Sequence, residues 1–60
     1  MDLFSLMDSM IAGELGVDVE TYIDVIENRC TLEEADFIIY ECCQPRDVEA
    51  AKKLFNSKLN

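Results

Sequence analysis

The sequence predicts an all-α fold, a compact bundle of three to four short helices. Three observations point there. Apolar residues recur at spacings of three and four along almost the whole chain, and helix-capping residues stand at two of the breaks between these stretches. Two Gly and one Pro leave little material for a loop-rich scaffold. Half of the residues are hydrophobic and mean hydropathy is near zero, which is too apolar for a disordered acidic tail. Sixty residues make one small domain. At that size a chain buries only about 60% of its unfolded surface, so stability is marginal and self-association or a binding partner is expected to help.

The first helix is expected over about 2–13. Leu3, Leu6, Met7, Met10 and Ile11 fall on one face with Phe4 at its edge, while Asp2, Ser5, Asp8 and Ser9 fill the other. Gly13 and Gly16 supply the ending, since glycine accepts the left-handed conformation of a helix C-terminus. The Met-Leu stripe is expected to be core; the alternative is an adaptable binding groove, which flexible methionines suit. Docking of this helix to a membrane is disfavoured, because its polar face holds Asp2 and Asp8 where a lipid-binding helix shows Lys or Arg.

Asp18 is placed to cap a second helix by accepting free backbone N–H groups of its first turn. Val19, Tyr22, Ile23 and Ile26 form its expected buried stripe, with Val25 at the margin. Glu20, Asp24 and Glu27 share the opposite ridge at i, i+4 and i+7. None has a base four residues away, and each like-charge pair costs a few tenths of a kcal/mol.

Thr31-Leu32-Glu33-Glu34 has the form of a capping box and starts a third helix running to about Cys43, before Gln44-Pro45. Leu32, Ala35, Ile38, Ile39, Cys42 and Cys43 cover one broad face. Phe37 and Tyr40 point the other way, among Glu33, Glu34, Asp36 and Glu41. Aromatics ringed by carboxylates have the composition of an interface anchor, apolar at the centre and charged at the rim. Alternatively this helix touches neighbours on two sides and buries both rings.

Pro45 suits the opening of a fourth helix. Val48, Ala51, Phe55 and Leu59 mark its buried side, with Leu54 beside them. Glu49 and Lys53 are a favourably oriented i, i+4 pair, and Lys52, Lys53 and Lys58 complement the C-terminal dipole.

Charge is the strongest clue to partners. The first twenty-eight residues hold seven carboxylates and no Lys or Arg, whereas residues 46–60 carry a net +2; the whole chain carries −8. Such a field steers a protein toward basic surfaces and away from phosphate backbones, so direct nucleic-acid binding is not expected. The ridge of Glu20, Asp24 and Glu27 has three readings: a solubilising face, a surface that meets a basic patch on another protein, or an imitation of DNA phosphates. One helical turn of about 5.4 Å approximates phosphate spacing closely enough to keep the third.

Catalytic chemistry has little to stand on. There is no His to act as base, metal ligand or proton carrier at neutral pH. Cys42 and Cys43 are vicinal in a predicted helix, where their side chains diverge by about 100° and neither a disulfide nor a zinc site is well served. Cys30, in the turn before the third helix, is expected to be the exposed and oxidisable thiol. No enzyme, metal or cofactor is expected. An odd number of cysteines and no basic leader-like start point to a reducing cytoplasm, and no apolar run approaches the ~18 residues of a membrane span.

Asp8-Ser9-Met10 is similar to the Asp-Ser-Leu carrier motif of acyl carrier proteins, which are also small, acidic and four-helical. That resemblance implies a phosphopantetheine arm on Ser9. The family places its serine after a whole helix and a long loop, whereas Ser9 lies eight residues from the start, inside a predicted helix, with Met in place of the final Leu.

The reading from sequence is a small, acidic, non-enzymatic protein-binding regulator or inhibitor, of the kind viral accessory proteins often are. Phe37 and Tyr40 are its expected anchors, with Glu33, Glu41, Glu20, Asp24 and Glu27 as electrostatic rim, and a larger protein with a basic patch is the expected partner. A DNA mimic that occupies a nucleic-acid-binding protein is the first alternative, and a carrier modified on Ser9 is the second.

Overall fold

Each helix boundary follows from a local signal in the chain. A computed structural model describes the backbone over residues 3–59 and the side chains over 6–59. It contains four helices: α1 (Leu3–Leu15), α2 (Val19–Asn28), α3 (Leu32–Cys43) and α4 (Val48–Leu59). Among the described residues none of them is long and apolar enough to cross a membrane.

Helix α1 runs two residues past the expected end. Gly13 stays helical, and the stop comes at Gly16, whose φ of 78° is left-handed. Gly16 N–H donates to Gly13 O at 3.2 Å and Val17 N–H to Ala12 O at 3.0 Å, the paired bonds of a Schellman ending. Asp18 caps α2 as predicted, accepting from Thr21 N–H at 3.4 Å and from the Thr21 hydroxyl at 2.6 Å. The hydroxyl bond, then the amide, holds the Asp18 carboxyl below its usual pKa. The capping box of α3 is complete: Glu34 N–H donates to Thr31 Oγ1 and Thr31 N–H to Glu34 Oε1, both at 3.2 Å.

Pro45 does not open α4 but sits in the preceding turn. Asp47 caps instead, its carboxylate accepting from Ala50 N–H at 3.3 Å.

Helices α1 and α4 each pack against all three others, while α2 and α3 flank them and barely meet. The core is Ile11, Ala12 and Leu15 from α1, Tyr22 and Val25 from α2, Ala35 and Ile38 from α3, and Ala51 and Phe55 from α4. Tyr22 and Phe55 stack at its centre with ring centroids 5.9 Å apart and planes 20° from parallel. Rings of this size bury the largest areas of any side chain, worth about 1.5–3 kcal/mol each by area. The most extensive pairing is α3 with α4, where Ala35 and Ala51 allow close backbone approach. A radius of gyration of 10.3 Å matches a well-packed chain of this length, about 10 Å.

Three expectations about burial are corrected. In α1 the predicted stripe is not the core: Leu6, Met7 and Met10 are exposed, and every described core residue of the helix falls at or after Ile11. Carrying the helix on to Leu15 supplies an Ile11–Leu15 pair at i, i+4, which turns α1 by about 100° from the orientation the stripe implies. Met1 and Asp2 lie outside the described residues, as do the side chains of Leu3, Phe4 and Ser5. In α2, Val25 lies at the centre of the buried face rather than its margin, and Val19, Ile23 and Ile26 pack around the edge. In α3, Leu32 is 86% exposed and Cys43 is exposed; at about 100° per residue both fall at the edge of the face centred on Ala35 and Ile38.

Long-range polar contacts lock the ends of the bundle. Arg29, just past α2, donates to Lys58 O at 3.3 Å and Leu59 O at 3.2 Å, so its charge sits on the last carbonyls of α4. Lys58 reaches Glu34 at 2.9 Å, and this is the one ion pair among the described residues; Glu49 and Lys53 do not close theirs. The Lys58 ammonium, first among the causes, holds the Glu34 carboxyl below its usual pKa.

Candidate functional site

Of the two readings the sequence left open for the aromatic pair of α3, the structure shows the exposed one. Phe37 is 39% exposed and Tyr40 46%. Alternate packing of α3 on two neighbours does not bury them, because α1 and α4 both meet the side of the helix that carries Ala35 and Ile38. Glu33 and Asp36 are exposed alongside, and Glu41 is half-buried. Sequence periodicity could not supply the Arg46 contact. The guanidinium lies 5.0 Å from the Tyr40 ring centroid and also donates to the Tyr40 hydroxyl. The turn containing Pro45 makes this possible by folding residue 46 back over the end of α3. One face of the ring is therefore occupied, and Tyr40 offers its remaining face and edge.

The acidic ridge is built as expected but not where it could join this pair. Glu20, Asp24 and Glu27 are all exposed on α2, and Asp24 accepts a hydrogen bond from the Asn28 amide at 3.0 Å. Since α2 and α3 barely touch, the ridge and the aromatic pair belong to separate surfaces. Glu33 is the rim residue that shares the exposed side of α3 with Phe37 and Tyr40.

A second surface lies between α1 and α3. There a groove of about 400 Å³ is lined by Met7, Met10, Ile11, Glu14, Cys42 and Cys43, with Ser9 and Gly13 beside them. Met10 is 65% exposed and Leu6 49%. Gly13 faces open space: a Cβ built there meets nothing within 4 Å.

The thiols are arranged differently from the expectation. Cys43 is the exposed cysteine, while Cys30 is half-buried against the core, and burial pushes its thiol up. Burial also raises Cys42. All three are free, and among the described residues no group of three His, Cys, Asp or Glu side chains could hold a metal ion.

The Tyr22 hydroxyl is buried with no hydrogen-bond partner among the described residues. Burial, then the charge of Asp8, holds its pKa well above the usual phenol range. An unpartnered buried donor costs about 1–3 kcal/mol.

Comparison of the chain with protein-family models, with curated proteins and with solved structures finds no match.

Proposed function

We propose that the chain is a small non-enzymatic protein-binding regulator or inhibitor that engages a basic patch on a larger protein. Phe37 and Tyr40 act as its anchors, and the surrounding carboxylates guide the approach. The observation that supports this best is the exposure of both rings on one side of α3, beside Glu33 and Asp36, in a chain of net charge −8. Arg46 contributes by holding the Tyr40 ring in place, which lowers the ordering entropy lost on binding. The α2 ridge of Glu20, Asp24 and Glu27, on its separate surface, acts through the field and so through the association rate. The three thiols suit a reducing compartment, and the cytoplasm is part of this reading.

The test is affinity capture from the native cell, followed by titration of the captured protein against variants. Phe37→Ala and Tyr40→Ala are each expected to weaken binding by more than about 1 kcal/mol while leaving the helical circular-dichroism signal intact. Neutralising Glu20, Asp24 and Glu27 together is expected to slow association and flatten its salt dependence. Unchanged affinity after both aromatic substitutions removes the anchor assignment. Release of the captured protein by duplex DNA would move the function to the α2 ridge, as a phosphate mimic.

A further inference from the structure

We propose that the groove between α1 and α3 is the docking site for an amphipathic helix of a partner protein. The partner's apolar ridge seats on Met7 and Met10, and its Lys or Arg residues face Glu14. This deepens the protein-binding reading and rests on it, but it places the contact on a surface other than the Phe37–Tyr40 pair.

The first support is the apolar excess of α1. One face carries Ile11, Ala12 and Leu15 into the core, and the opposite face carries exposed Leu6 and Met10, with Met7 at the groove. Large apolar side chains gathered on one exposed face mark an interaction surface. Methionine fits such a surface because its unbranched thioether adapts to whatever shape arrives.

Gly13 is the second support. A glycine inside a helix costs up to about 1 kcal/mol relative to alanine, and Gly13 lies in the last turn of α1. No neighbour explains it here, since a side chain at this position would enter empty space. Its effect is to keep the floor of the groove low, where a second helix can come close to the backbone.

Charge decides the occupant. Glu14 is the one charged residue among those that line the groove. Residues 1–28 hold no base at all. A second copy of this chain would bring α1 carboxylates against α1 carboxylates, with −8 on each molecule. A basic helix meets the same apolar face with the opposite sign, and helix-in-groove recognition uses this combination of anchors and flanking charge.

The groove can be tested with ¹³C-methyl methionine NMR on the intact chain. The probe is a synthetic peptide of about 18 residues, long enough to hold a helix, with Leu at i, i+3, i+4 and i+7 and Lys elsewhere. It is expected to shift the Met7 and Met10 methyl signals. Two control peptides should bind at least about tenfold more weakly: one with Glu in place of Lys, and one with the same Lys content and Leu out of helical register. Met10→Gln and Gly13→Leu should each lower affinity about tenfold with helicity retained, the second because it fills the groove.

Several results overturn the proposal: no methyl shift at about 1 mM peptide, equal binding of either control, or peptide binding that is lost in Phe37→Ala but kept in Met10→Gln. Methyl shifts produced by raising the concentration of the chain alone would also overturn it, by making a second copy the occupant. If partner capture survives Met10→Gln and Gly13→Leu but fails in Phe37→Ala, the groove is wrong and the general reading stands. If it is indifferent to all of these variants, both fall.

Discussion

Helices α1 and α4 hold equivalent positions, each in contact with the other three, yet they differ in how their faces are fixed. In α4 the buried seam is Ala51 and Phe55, both fully buried, with Leu54 and Leu59 packed beside them. Its remaining positions include Glu49, Lys52, Lys53, Asn56 and Ser57, none of which could replace the seam. In α1 a rotation of about 100° exchanges one apolar face for another. Periodicity sets a helix's orientation only when the opposite face is polar enough to forbid the alternative.

The comparison breaks most readily at α4. Phe55→Ala is expected to remove about 3–5 kcal/mol, because it opens a cavity beside Tyr22 at a site with no exposed surface. In a chain of this size that approaches the whole stability, so urea titration should show an unfolded or barely folded variant.

Tyr22 gives a smaller effect with a pH signature. Its pKa is raised in the fold, so the neutral phenol's contribution is fully present below pH 10.0, the ordinary tyrosine value, and declines as pH rises above it. Tyr22→Phe removes the unpartnered hydroxyl while keeping the ring stack. It is expected to be about 1 kcal/mol more stable at neutral pH, and the gain should widen toward about pH 11. A variant less stable than the parent at both pH values would mean the hydroxyl has a partner in solution.

The smallest effect belongs to the outer face of α1. Met10→Gln should change stability by no more than about 0.5 kcal/mol, because the side chain is mostly in water. A loss above about 2 kcal/mol would show that α1 is turned the other way, with its Met-Leu stripe inside.

Much of this architecture was legible because its signals are local. Asp18 and the Thr31–Glu34 box start their helices by bonds that span three residues. The carboxylates beside Phe37 and Tyr40 made an outward direction one of two readings, and the packing of α3 decided it. What was not legible depends on residues distant in sequence or on a choice between equivalent faces. The rotation of α1 hinged on whether Gly13 or Gly16 ended the helix, and on Leu15, which the shorter helix left out. The separation of the α2 ridge from the aromatic pair needed the packing order. Cys30 and Cys43 changed places because the turn after α2 packs inward while Cys43 falls at the edge of the buried face of α3. The Arg46–Tyr40 stack had a signal in principle, a base six residues after an exposed aromatic across a proline turn, but nothing in the pattern selected it.

The Arg29 contact has a kinetic meaning. It links residues 29 and 30 positions apart in sequence, and closing such a loop carries an entropy cost that grows with its length. It also needs α4 already wound, since its acceptors are the carbonyls of that helix's last turn. A bond with these requirements is expected to form late in folding, after the rate-limiting barrier. Arg29→Ala is therefore expected to shorten the life of the folded molecule between openings while leaving the folding rate nearly unchanged, as stopped-flow unfolding and refolding would show.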